Sequence, residues 1–121
     1  FPALAVPVQK IHLARDPLKT LARPAPGRLL LQTALEWACI IVLAVWATWS
    51  AHGAVSLLCM LLIATRQHAL LALMHEYSHH QLSRKHGWLN DLIGDVFTAF
   101  PFFITIHGFR RNHLLHHRHA W

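Results

Sequence analysis

The sequence predicts an all-α membrane protein: a transmembrane helical hairpin, an interfacial helix, and histidine clusters gathered on the cytoplasmic side. Three observations lead there. Hydrophobic residues make up 55% of the 121 residues and charged residues only 13%, against about 25% charged in a soluble domain. Two apolar runs, Leu29 to Ser50 and Ala54 to Met74, are separated by no more than a short turn. Twelve histidines are present, and most fall beyond the second run.

The first 28 residues hold Pro2, Pro7, Pro17, Pro24 and Pro26 among the charges Lys10, Arg15, Asp16, Lys19, Arg23 and Arg28. Proline removes backbone donors, so this stretch (1–28) is expected to be an extended, basic cytoplasmic arm with one short helix around Pro17 to Ala22. Residues 29–121 form the membrane unit. In the first apolar run, Trp37 to Trp49 carries no charge. Roughly 20 helical residues cross a hydrocarbon layer of about 30 Å. Gln32 and Glu36 fall toward the basic end, and Trp46 and Trp49 suit the opposite interface. The turn from Ser50 to Gly53 forces the two helices antiparallel, so both flanks share one side. Five Lys/Arg precede the hairpin, five follow it, and the turn has none. The positive-inside rule therefore places the flanks in the cytoplasm. The net charge of +6 lies beside apolar segments, which points to a membrane surface and not to nucleic acid. A third apolar stretch, Leu92 to Phe109, contains Asp95, Pro101 and Gly108. It reads as an interfacial helix kinked at Pro101, because a crossing would separate the histidine clusters. Cys39 and Cys59 sit inside apolar runs without CxxC spacing and read as packing residues.

Two clusters carry the chemistry. In His75-Glu76-Tyr77-Ser78-His79-His80, a helix continuing past Met74 puts His75 and His79 one turn apart on one face. His68 lies on that face two turns earlier, and His80 points about 100° away. In His113-Leu114-Leu115-His116-His117-Arg118-His119, the residues His113, His116 and His117 share a helical face. Neutral imidazole suits iron, zinc, copper and nickel, and the scarcity of cysteine excludes a thiolate site. Arg66 lies inside the second run, where a charge must face protein or water, and Glu36 is its candidate partner within the chain. Asp91 and Asp95, one turn apart, are candidates either for orienting ligand histidines or for capping the helix from Leu92. His80, His119 and His68 are further candidate ligands. His12, His52, His86 and His107 stand apart from both clusters.

An HxxxH after a hairpin, followed by Arg110-Arg111-Asn112-His113-Leu114-Leu115-His116-His117 behind an interfacial helix, resembles the integral-membrane fatty acid desaturase and hydroxylase superfamily. Arg66-Gln67-His68-Ala69-Leu70 is similar to bacterial members, including those that resemble rhizobitoxine desaturases. The resemblance covers roughly Ala34 to Trp121. It implies a di-iron centre of two non-haem iron ions, held by three histidine boxes on the cytoplasmic face of a bacterial inner membrane. His75 and His79 would be first-box ligands, and His113, His116 and His117 second-box ligands, with no catalytic residue distinct from them. It implies O2 as co-substrate, desaturation or hydroxylation of a fatty acyl lipid, and a ferredoxin-like or cytochrome b5-like electron donor. The family's third box and second hairpin have no counterpart in these residues. The chain is therefore expected to be a front portion, inactive by itself.

Two other readings compete. His75-Glu76-Tyr77-Ser78-His79 also fits the HExxH signature of zinc metalloproteases, with Glu76 as general base, but that leaves the second cluster without a role. A metal transporter or metal-binding module would need ligands along a path through the bilayer, and only His68 lies within a span.

Overall fold

A computed structural model describes residues 24–119, and within them the chain is helical with no strand. Four α-helices follow in order: α1 (Pro26–Trp49), α2 (Gly53–Ser78), α3 (Gly87–Gly94) and α4 (Ile106–His119). A π-helical turn (Asp95–Ala99) and a 3-10 turn (Phe100–Phe102) join α3 to α4. The expected short helix around Pro17 to Ala22 lies outside the described residues.

Helix α1 starts at Pro26, three residues before the apolar run. Proline suits a first helical turn, where its missing N–H would have no partner anyway and its φ is already helical. The helix ends at Trp49, and the Ser50 N–H closes on the Trp46 carbonyl at 3.0 Å. After the turn, Ser56 Oγ donates to the Ala47 carbonyl at 3.0 Å and ties the two helices together. At 1.5 Å per residue the 24 and 26 residues of α1 and α2 are about 36 and 39 Å long. Both are long and apolar enough to cross a membrane. Their halves nearest the turn are uncharged, predominantly apolar and exposed, with Ile41, Val42, Val45, Leu57, Leu58, Met60 and Leu61 turned outward. A helix of that kind needs lipid or other helices around it.

Burial concentrates at the other end of the hairpin. Leu29, Leu70, Leu73, Met74, Tyr77, Leu82, Ala99 and Ile106 form one core, with Trp37, Ile40, Ile93, Phe102 and Phe109 packed against it. Gly94 is the point of closest approach. A Cβ there would sit 2.9 Å from Ile106 Cγ1 and 3.0 Å from Tyr77 Cβ, so only glycine lets α3 lie against both α2 and α4.

The third apolar stretch is not one straight helix. The run from Gly87 to Phe102 meets α4 at 82°. The break comes where Pro101 ends the helical ladder and Phe103 takes a left-handed conformation, φ 56. Asp95 Oδ1 accepts the Ile106 N–H at 2.6 Å and caps the start of α4 across the bend. Trp37 Nε1 donates to the Phe97 carbonyl at 2.8 Å, which anchors the π-helical turn to α1. The bend carries α4 back over the C-terminal end of α2.

Candidate metal centre

His75 lies in the last turn of α2, and His79 is the residue that caps it. Helical spacing sets their Nε2 atoms 3.4 Å apart. His113 comes in from α4, its ring centroid 4.8 Å from that of His75 and 5.4 Å from that of His79. The candidate ligand atoms of His75, His79 and His113 all lie within 4.8 Å of one another. His117, one turn on, brings its Nε2 to 3.0 Å from that of His113. Two clusters 38 residues apart in sequence thus meet in one place, as three imidazoles with a fourth beside them.

The remaining candidates stand elsewhere. His116 is exposed, its ring centroid 6.4 Å from that of His117. His119 is exposed at the end of α4, and His68 is exposed along α2, two turns short of the cluster. His80 adopts a left-handed backbone, φ 55, which swings its ring toward α3. Its Nδ1 is buried and 3.9 Å from Asp91 Oδ1, too far for a hydrogen bond. Asp91 binds Arg110 in fork geometry at 2.6 and 3.1 Å, and Asp95 caps α4. The two carboxylates thus bond Arg110, Asn90 and backbone, and neither bonds the three imidazoles.

At His79 and His113 the electrostatics favour the neutral imidazole. Partial burial pushes the His79 pKa down, and the neighbouring His75 adds to it. Partial burial likewise lowers that of His113, with His117, His75 and His79 contributing. Neutral imidazole is the form that binds a metal ion.

Phe109 is a feature of the site that sequence reasoning missed. Its ring stacks on His113 with centroids 5.7 Å apart and planes 11° apart, and it also meets His75 edge-on. It lies four residues before His113, so the i,i+4 spacing was the available signal. Arg66 pairs with Glu36 as anticipated, Nη1 to Oε2 at 3.4 Å, midway along α2.

Residues 51–121 match the fatty acid desaturase family. The chain belongs to that family. The match spans α2 and both histidine clusters, so the chain is an oxidoreductase of the fatty acid desaturase type and, with two helices apolar enough to cross a membrane, an integral membrane protein. Comparison with curated proteins and with solved structures gives no match. The family match favours the desaturase reading over a metalloprotease or a transporter.

Proposed function

We propose that the protein oxidises a lipid acyl chain with O2, by desaturation or hydroxylation, at a pair of iron ions held in part by His75, His79, His113 and His117. The observation that carries the reading is the meeting of three imidazoles from two distant segments within 4.8 Å. An all-imidazole donor set suits iron. His116, at the edge of the cluster, would join it by a side-chain rotation. The cluster amounts to one part of a ligand set for two ions. Bound there, iron supplies the redox chemistry needed to break an unactivated C–H bond.

The protein's own residues do the rest. The lowered pKa values of His79 and His113 favour the neutral form that ligates. Phe109 stacks on one face of His113 and helps hold its ring in place. The apolar girdle of α1 and α2 keeps the acyl substrate at hand in the bilayer. The basic flanks support a cytoplasmic position for the cluster. Arg111 and Arg118, exposed on α4, offer a surface to an acidic ferredoxin-like or cytochrome b5-like donor.

The test uses full-length protein purified in detergent. Iron per chain is measured after anaerobic loading, and products from a mixed acyl lipid pool are read by mass spectrometry with O2 and a reductant. Stoichiometric iron and an oxidised acyl chain are expected, both lost on His113→Ala. Zinc in place of iron, or His113→Ala with full iron and activity, would defeat the proposal.

A further inference from the structure

We propose that Arg110, held by Asp91, is a positioning residue that sets the distance between the two halves of the histidine cluster. Its guanidinium joins three elements. Nη2 and Nη1 donate to the two carboxylate oxygens of Asp91 on α3 at 2.6 and 3.1 Å. Nε donates to the carbonyl of Ser78, the last residue of α2, at 2.7 Å. Arg110 itself belongs to α4, one turn before His113. The atom it grips on α2 belongs to the residue immediately before His79. One side chain therefore measures the gap across which His79 and His113 face each other.

The arrangement is built for rigidity. The last carbonyls of a helix have no intrahelical partner. Arg110 takes that of Ser78, and Asn90 Nδ2 takes that of Tyr77 at 2.8 Å. Asn90 also donates to Asp91 Oδ1 at 3.0 Å and accepts from the Leu82 N–H at 3.2 Å. Asn90 is fully buried, and Arg110 and Asp91 keep 18% and 27% of their side-chain surface exposed. Removing one member would leave partly buried polar groups without partners. The planar guanidinium serves two acceptors on different elements at once, which a lysine ammonium on its flexible stem cannot reproduce in the same geometry. None of these bonds reaches an imidazole, so the network acts on the cluster only through the spacing of the helices.

The inference rests on the metal-centre reading for one of its two measurements. The first is titration of the full-length protein with cobalt(II) alone. Arg110→Gln and Arg110→Lys are expected to weaken binding about 10–100-fold, and to alter the cobalt absorption bands as His113 withdraws. Helical content by circular dichroism should stay at the wild-type level. Asp91→Asn should have the same effect, and the double variant Asp91→Asn/Arg110→Gln should lose little more. The second measurement needs no metal. Nitroxide labels at Glu76→Cys and Asn112→Cys, with Cys39→Ser and Cys59→Ala, report the α2 to α4 distance by pulsed electron resonance. A single narrow distance should broaden in both Arg110 variants.

Folded Arg110→Lys with wild-type cobalt affinity and spectrum and an unbroadened distance would overturn the proposal. So would failure of both Arg110 variants to fold, since the residue would then serve the fold and not the spacing. Wild-type protein that takes up no cobalt would defeat the metal-centre reading alone. The distance measurement would still decide the role of Arg110.

Discussion

The two ends of the hairpin are built differently. At the turn between α1 and α2, Ala51 and His52 are exposed, and one side-chain hydrogen bond, Ser56 to Ala47, joins the helices. At the opposite end, α3 and α4 fold over α2, the core residues gather, and carboxylate, amide and guanidinium groups interlock. Between them lies an apolar shaft with little buried surface. A shaft in lipid needs only length and apolarity, because the bilayer has no hydrogen bonds to offer and the helices satisfy their own. Bringing four imidazoles from two helices within a few ångströms requires tight packing and a closed polar network. The contrast implies that changes at the two ends will have very unequal effects.

The sharpest contrast is between histidines. His52 stands at the turn, His75, His79 and His113 at the packed end. In full-length protein, His75→Ala, His79→Ala or His113→Ala should each remove at least about 99% of acyl oxidation, as loss of a metal ligand commonly outweighs the 10–100-fold cost of losing a supporting partner. His52→Ala should retain wild-type turnover. His116→Ala sharpens the comparison within one cluster, because its ring lies farther out and its loss should be milder than that of His113. Product formation per enzyme is the measurement. Equal losses at His52 and His113 would erase the distinction between the two ends.

Gly94 tests whether the packed end depends on close approach. A methyl group there would collide with Ile106 and Tyr77. Neither neighbour can move far, since Ile106 starts α4 and Tyr77 is fully buried. Gly94→Ala should lower stability by about 1–3 kcal/mol, the usual range for overpacking, read as a lower midpoint of thermal unfolding in detergent. Gly53→Ala, where a Cβ would meet nothing within 4 Å, should leave the midpoint unchanged or slightly raised.

What the sequence made legible follows the same division. The hairpin, its turn, the Arg66–Glu36 pair and the facing of His75 and His79 depend on composition and helical period, and these are local. The start of α1 at Pro26 was missed because an apolar count begins at Leu29, while the backbone rewards proline at a first turn. The π-helical turn, the 82° bend at Phe103, the stacking of Phe109 and the partners of Asp91 and Asp95 depend on contacts between elements. Period alone could not tell that His113 and His117, rather than His116, would turn toward α2. The spacing admits all three, and the approach angle of α4 decides.

Acid should loosen the packed end before the shaft. The hydrogen bonds from Arg110 hold the Asp91 pKa below the ordinary carboxylate value, with Asn90 adding to the effect and His80 nearby. A depressed folded-state pKa contributes stability that is fully present above the unfolded value of about 3.9. That contribution is lost as pH falls through the folded value. The gap in unfolding midpoint between wild type and Asp91→Asn should therefore be full near neutrality and shrink as the pH is taken below about 4. A gap that grew in acid would mean that Arg110 does not favour the charged carboxylate.

The smallest effects compare single hydroxyls at the two ends. Thr33 Oγ1 donates to the Leu29 carbonyl at 2.8 Å, so the Tyr77 hydroxyl, 3.0 Å away, is left to donate to Thr33. Both groups are buried, and this bond joins α1 to α2 beneath the histidine cluster. Tyr77→Phe removes the donor yet leaves Thr33 satisfied by Leu29. The loss should therefore be near the ordinary net value of a hydrogen bond, about 1 kcal/mol. Ser56→Ala removes the one side-chain tie at the turn. Ser56 is only half-buried, and its acceptor, the Ala47 carbonyl, belongs to the open last turn of α1, where water can take the place of the hydroxyl, so the change should stay within about 0.5 kcal/mol. Unfolding midpoints of the two variants, taken together, test whether a hydrogen bond of similar length is worth more where the chain is packed than where lipid and water surround it.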